Sequence, residues 1–176
     1  MPSVPRPKLV VDGKLNYSAA SAELRRCLDM ILQNGRFELS YEISSTEPAA
    51  VGALEHPELL VNFRGPDTEL LLERNAELLK ALEHIALRCL WLDPQFYDRV
   101  HFDAADYRAL RIEELKLSAR VAADHVRDTR APFRFNAMSA RERRILHLVL
   151  KEEPGLRTSS EGVGEERQVV VFPTET

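Results

Sequence analysis

The sequence predicts an α+β protein: two small α/β sandwich units joined through a long helix. Two patterns carry this. Apolar and polar residues alternate in "RFELSYEI" with the period of a half-buried strand, and the short apolar run in "RQVVVF" also reads as a strand. Between them lie stretches whose apolar residues step by three and four, the spacing of a helix with one buried stripe. In chain order the elements read α-β-β-α-(α)-β, then a helix, then β-α-β-β. That order suits two small α+β layers in series.

The first seventeen residues contain three prolines and little periodicity, and read as an arm or a loosely attached strand. Ser18 or Ser21 can cap a helix that runs to about Gln33, with Leu24, Leu28 and Ile31 on one side and Asn34-Gly35 as its stop. Phe37, Leu39, Tyr41 and Ile43 then alternate with Glu38, Ser40 and Glu42. The stretch "SSTEPAAVGALEHPE" is a predicted loop, and "LLVNF" a second strand ended by Arg64-Gly65-Pro66. A helical stretch follows from about Asp67 to Leu92, broken or unbroken near Asn75, with Pro94 closing it. "RVHF" is a third strand, expected antiparallel to the others, and Asp103 opens a helix reaching about Arg130. Its stripe is Ile112, Leu115, Ala119, Ala122 and Val126. "FRFN" is strand-like, and Ser139 with Glu142 forms the S-x-x-E signature of a capping box. The helix that follows ends at Pro154-Gly155; "LRTSS", the turn "EGVGEE" and "RQVVVF" complete the chain.

The composition excludes several classes. With 176 residues, 44% hydrophobic and 30% charged, the chain is an ordinary globular protein of one domain or two small ones. No apolar run is long enough to span a membrane, and "MPSVPRPKLVVDGK" has no apolar core of a signal peptide, so a cytoplasmic location is expected. Cys27 and Cys89 are too few and too isolated for a disulfide framework and are expected to be reduced thiols. The five histidines have no metal-ligand spacing; neither a metal nor any other cofactor is expected. The net charge of −4 hides an asymmetry: residues 1–107 carry −6, residues 108–157 carry +5 and the remainder −3. A basic segment behind an acidic one hints at an anionic partner for the former.

The decapeptide "RERRILHLVL" concentrates that basic charge. At 100° per residue, with Arg143 at 0°, His147 falls at about 40°, Lys151 at about 80°, Arg144 at about 100° and Arg141 at about 160°. Ile145, Leu146, Val149 and Leu150 occupy the arc from about 200° to about 340°, the core side, and Leu148 stands among the basic residues. Arg143, His147 and Lys151 thus form a continuous surface row. Arginine grips phosphate with a planar fork and stacks on bases; histidine offers a ring and two nitrogens. Taken alone, the spacing is common and reads first as an ordinary solvated face.

The context adds a resemblance. From "APFRFNAMSARERRILHLVL" through "TSSEG" to the Arg before "QVVVF", the sequence resembles the single-stranded nucleic-acid module named for an arginine and a histidine separated by three residues, the R-3-H domain. More broadly, residues 20–173 resemble the bacterial Jag (SpoIIIJ-associated) family, in which a KH domain precedes that module. "FDAADYRALR" resembles the family's Asp-x-x-x-Tyr-Arg-x-x-Arg junction. The resemblance implies an arm over residues 1–17, a KH-like domain over 18–105, a linking helix plus R-3-H-type domain over 106–173, and a tail over 174–176. It implies nucleic-acid contact by Arg143 and His147, with Arg144, Thr158, Ser160 and Arg167 near the same surface; helix geometry adds Arg141 and Lys151.

The KH-like part departs from its family. Where the family carries a G-x-x-G loop that lets backbone approach phosphate, this sequence has "GPDTELLLERNAELLKAL", with Glu73, Arg74, Asn75 and Ala76 in the loop. A Cβ at both glycine positions and a negative charge at Glu73 oppose phosphate, so this unit is expected to be a scaffold or a protein-contact surface. The leading expectation is a protein, not an enzyme, that binds single-stranded RNA, or less favourably DNA, mainly through the C-terminal domain. The alternative is an interaction adaptor that no longer binds nucleic acid. A nuclease using His147 would need a second acid-base group or a metal, and the sequence offers no catalytic partner for it.

Overall fold

A computed structural model of the chain describes residues 7–46, 54–55 and 57–174. The N-terminal end of the predicted arm, the tip of the predicted loop after Thr46, and the last two residues of the tail lie outside the described residues. The chain divides between Tyr107 and Arg108 into two compact units.

In the first unit, β1 (Val10–Val11) and β2 (Lys14–Leu15) form a small antiparallel hairpin, so this part of the predicted arm is ordered against the core through Leu9, Val10 and Leu15. Glu58 ties the hairpin down. One carboxylate oxygen accepts from Leu15 N at 2.7 Å and the other from Arg99 Nη1 at 2.7 Å. Helix α1 (Tyr17–Gly35) is capped by Asn16, whose side chain accepts from Ala19 N, and not by Ser18 or Ser21. It is stopped by Arg36 in the left-handed conformation, one residue beyond the expected Asn-Gly signal. Leu24, Leu28 and Leu32 bury its inner face.

Strands β3 (Ser40–Ser45) and β4 (Leu59–Arg64) pair antiparallel. β5 (Val100–Ala104) pairs parallel to β4, correcting the antiparallel expectation. The reason is the connection: α2 (Thr68–Cys89) lies between β4 and β5, and a helical crossover returns the chain in the same direction. The sheet order β3-β4-β5 places Val61, Phe63 and Phe102 in the centre of the core, the two rings 5.5 Å apart. His101 is buried on β5; Nε2 lies 3.0 Å from Asp98 O and Nδ1 3.5 Å from the Glu55 carboxylate. The two cysteines are not isolated from each other: burial, and then the neighbouring Cys89 thiol, push the Cys27 thiol up to about 12.

Helix α3 (Tyr107–Thr129) starts on the last residue of the first unit and otherwise belongs to the second; Asp103 belongs to β5 and does not open it. Leu115, Ala119, Ala122, Ala123 and Val126 form its buried stripe, while Ile112 is half-buried. β6 (Phe133–Arg134), α4 (Ala140–Lys151), β7 (Leu156–Glu161) and β8 (Gln168–Pro173) complete the unit. The sheet is antiparallel, in the order β6-β8-β7, with Thr158 opposite Val171 and Ser160 opposite Val169. The outcome is an α+β architecture with a small three-stranded sheet in each unit.

Candidate nucleic-acid interface

The start of α4 is fixed by a carboxylate. Ser139 is the N-cap and its Oγ accepts from Glu142 N at 3.2 Å; Glu142 Oε2 accepts from Ser139 N at 2.9 Å, completing the capping box. The same side chain is buried, and its other oxygen accepts from Arg111 Nε on α3 at 2.8 Å. Arg111 also donates to Glu114 at 2.8 Å. Sequence reasoning missed this pair as part of the site's support. The signal was present: Glu142 sits at about 260° on the helix wheel, inside the apolar arc, where a charge must find a partner.

One turn along, Arg143 is half-buried and its Nη1 donates to Met138 O at 2.8 Å, with Arg167 O at 3.5 Å. Met138 N donates to Arg167 O at 3.1 Å. The guanidinium is therefore anchored at one nitrogen against the chain that enters α4 and against the foot of β8. His147 is half-buried one turn further, with Nδ1 2.7 Å from Thr158 Oγ1 and Nε2 2.9 Å from Ser160 Oγ. Strand alternation puts both hydroxyls on the face of β7 that α4 covers. Burial first, and the Arg143 charge second, hold His147 below its ordinary value, so the ring is neutral at pH 7.

The structure thus brings together Arg143, His147, Thr158, Ser160 and the backbone of Arg167. Arg144 and Lys151 are exposed on α4, and Arg141 is half-buried. Leu148 is exposed beside them, as the wheel predicts, and Ile145, Leu146 and Leu150 are buried. On the opposite face of the sheet Arg157 stacks over Phe172 at 4.2 Å from the ring centre, and Arg134 pairs with Glu161. Among the described residues, no three His, Cys, Asp or Glu side chains gather as a metal site would require. No described helix is long and apolar enough to cross a membrane.

The loop of the first unit resolves the open question about α2. The helix is broken: Glu73 is extended, and Arg74, Asn75 and Ala76 are all left-handed, with φ of 49°, 64° and 57°. This turn forms without glycine. The Ala76 methyl points into the core, fully buried, and the Tyr107 hydroxyl lies 3.1 Å from Asn75 O and 3.0 Å from its Oδ1. The expectation that a Cβ at the second glycine position blocks approach is corrected at Ala76, whose methyl is turned inward. Glu73, Arg74 and Asn75 are exposed.

Residues 113–173 match the family model of the R-3-H domain. Over 138 residues the chain is 28% identical to the RNA-binding protein KhpB of Clostridium symbiosum, covering 78% of this chain and 58% of that protein. Over 112 residues it is 33% identical to the RNA-binding protein KhpB of Bacillus subtilis (strain 168), covering 62% of this chain and 54% of that protein. The chain thus spans little more than half the length of these relatives. The matched domain contains the whole Arg143–His147 arrangement, and the relatives' similarity extends beyond it: the chain carries an R-3-H domain over residues 113–173 and is similar over more of its length to these RNA-binding proteins.

Proposed function

We propose that this chain binds single-stranded nucleic acid, RNA in preference to DNA, through the α4–β7 edge of its R-3-H domain, and that it catalyses no reaction there. The observation that carries this reading is the match of residues 113–173 to the R-3-H domain, with Arg143 and His147 held side by side at one edge of it. The RNA-binding relatives support RNA as the polymer. Arg143, fixed at one nitrogen, has the rest of its planar fork to offer a phosphate. Arg144, Lys151, Arg141 and Arg167 supply the surrounding positive field. His147 has both nitrogens occupied, which leaves its ring to pack against a base. About three phosphate contacts give a slope near −2 in log affinity against log salt for a single strand. Stacking contributes about 1 kcal/mol or more per base.

The first unit is the proposed KH-like domain, residues 18–105. Its acidic balance and exposed Glu73 and Glu77 disfavour phosphate, and its exposed Leu70, Ile85 and Trp91 favour a protein partner. The test of the main reading is fluorescence anisotropy of a labelled single-stranded RNA, and of the matching DNA, at two salt concentrations. Wild type is expected to bind in a salt-sensitive manner. An Arg143→Ala/His147→Ala variant, folded by circular dichroism, is expected to lose that binding. A wild-type protein that binds no pool of RNA or DNA defeats the reading and turns the search to protein partners.

A further inference from the structure

The occupied nitrogens of His147 change which groups can meet a phosphodiester. A neutral imidazole has one N–H and one lone pair. With Thr158 Oγ1 at 2.7 Å from Nδ1 and Ser160 Oγ at 2.9 Å from Nε2, one hydroxyl accepts from the ring and the other donates to it. The accepting hydroxyl keeps its own proton for another acceptor; the donating one has used its proton. An imidazolium has two N–H groups. Both hydroxyls then accept, and both O–H protons turn away from the ring. The hydroxyl-bearing residues are half-buried, not sealed, and β7 is the edge strand of its sheet, so solvent and ligand can reach them.

We propose that Thr158 and Ser160 are phosphate-binding donors of this site, and that His147 is a positioning residue whose protonation turns both hydroxyls toward the phosphodiester, linking capture of the strand to uptake of one proton. This rests on the nucleic-acid reading above and deepens it. No bond to phosphorus forms or breaks; the proton comes from bulk water and resides on the imidazole.

The surroundings suit such a linkage. On α4, Arg143 precedes His147 by one turn and Lys151 follows it by one turn. On β7, alternation sends Arg157 and Glu161 to the other face, away from Thr158 and Ser160. β8 presents Val169 and Val171 on this side, with Arg167 at its foot. The charged groups near the ring are thus cations, which oppose its protonation in the free protein. An arriving phosphodiester offsets that opposition, so the ring gains a proton more readily in the complex than alone.

The test is anisotropy of a labelled single-stranded RNA at constant ionic strength from about pH 8 to about pH 5.5, together with histidine-selective NMR titration of His147 with and without that RNA. Wild-type affinity is expected to rise about tenfold over this range, the change that a one-unit difference in His147's pKa between free and bound protein produces. His147→Gln keeps the other histidines but cannot titrate, and is expected to bind with a flat profile at the weaker, high-pH level. Thr158→Val/Ser160→Ala is expected to lose both affinity and the pH dependence. The inference is overturned if His147→Gln keeps the wild-type slope, if the hydroxyl-free variant matches wild type at every pH, or if added RNA leaves the NMR titration of His147 in place. The NMR arm uses wild type, so it decides even if a variant fails to fold. RNA binding without pH dependence defeats the inference alone, whereas no binding at any pH defeats the underlying reading as well.

Discussion

The Glu73–Ala76 turn of the first unit and the Arg143–His147 pair of the second are the two places that the proposed function contrasts, and they are built in opposite ways. The turn takes a left-handed backbone without the glycines that ordinarily adopt one. Three successive left-handed residues lack glycine and are held by a buried methyl and by the Tyr107 hydroxyl on Asn75. Left-handed backbone costs a non-glycine residue about 1–2 kcal/mol, which the packing around it must offset. The pair in the second unit retains the residues, and the structure spends hydrogen bonds on orienting them. Shape alone is therefore no evidence of binding; the side chains that face solvent decide. In the turn these begin with a carboxylate, and at the pair with a guanidinium.

The strongest way to break the second half of that comparison is to remove its support. Glu142 is 6% exposed and serves the helix cap and Arg111 at once. Glu142→Ala leaves the half-buried Arg111 guanidinium without its buried carboxylate partner, the exposed Glu114 remaining, and removes half of the capping box of α4. It is expected to cost about 3 kcal/mol of unfolding free energy, read by urea denaturation. Glu142→Gln keeps the shape but weakens both contacts, and is expected to lose about half as much. An unaltered urea midpoint in the alanine variant means that Arg111 and Glu142 are not paired in solution.

Next in size is the contrast in binding. Arg143→Ala/His147→Ala is expected to weaken single-stranded RNA affinity at least tenfold, about 1.4 kcal/mol or more, and to lower the salt slope by about 1. Arg74→Ala, in the turn of the first unit, is expected to change affinity less than about twofold, since Glu73 beside it opposes phosphate. Equal losses from the two variants overturn the division of labour between the units.

How far the sequence disclosed these sites follows from the physics of each signal. The capping box and the inward residues Ile145, Leu146 and Leu150 depend on contacts within one helix, so spacing alone reveals them. The direction of β5 depends on where a distant helix crosses, and nothing in "RVHF" encodes it. The broken α2 lies between these cases. No glycine or proline marks the turn, because burial of Ala76 and the reach of Tyr107, thirty-two residues from Asn75, hold it. Likewise Thr158 and Ser160 belong near the site by resemblance, but their grip on both nitrogens of His147 arises only when β7 packs under α4.

Relieving the strained turn is a smaller effect that sharpens the comparison from its other side. Arg74 is exposed at φ 49°, so Arg74→Gly removes a Cβ from left-handed backbone while sacrificing little packing. The added freedom of glycine in the unfolded chain offsets part of the gain, leaving about 0.5 kcal/mol of stabilisation. A loss of stability instead means that the arginine side chain, and not its backbone conformation, supports the turn.

The smallest effect concerns pH and stability in the absence of ligand. Burial and the Arg143 charge lower His147 in the folded protein relative to its unfolded value near 6.5, so the unfolded chain binds the proton more readily. The neutral ring's contribution is fully present above that value. It is lost as the pH falls below it toward the folded value, after which the loss levels off. Wild type is therefore expected to lose stability on acidification through this window relative to His147→Gln, which keeps a hydrogen-bonding side chain but no titration. Parallel denaturation midpoints across the window mean that His147 titrates alike in both states. The pH dependence expected of RNA binding would then have to arise wholly in the complex, from the phosphate, and not from any resistance to protonation built into the free site.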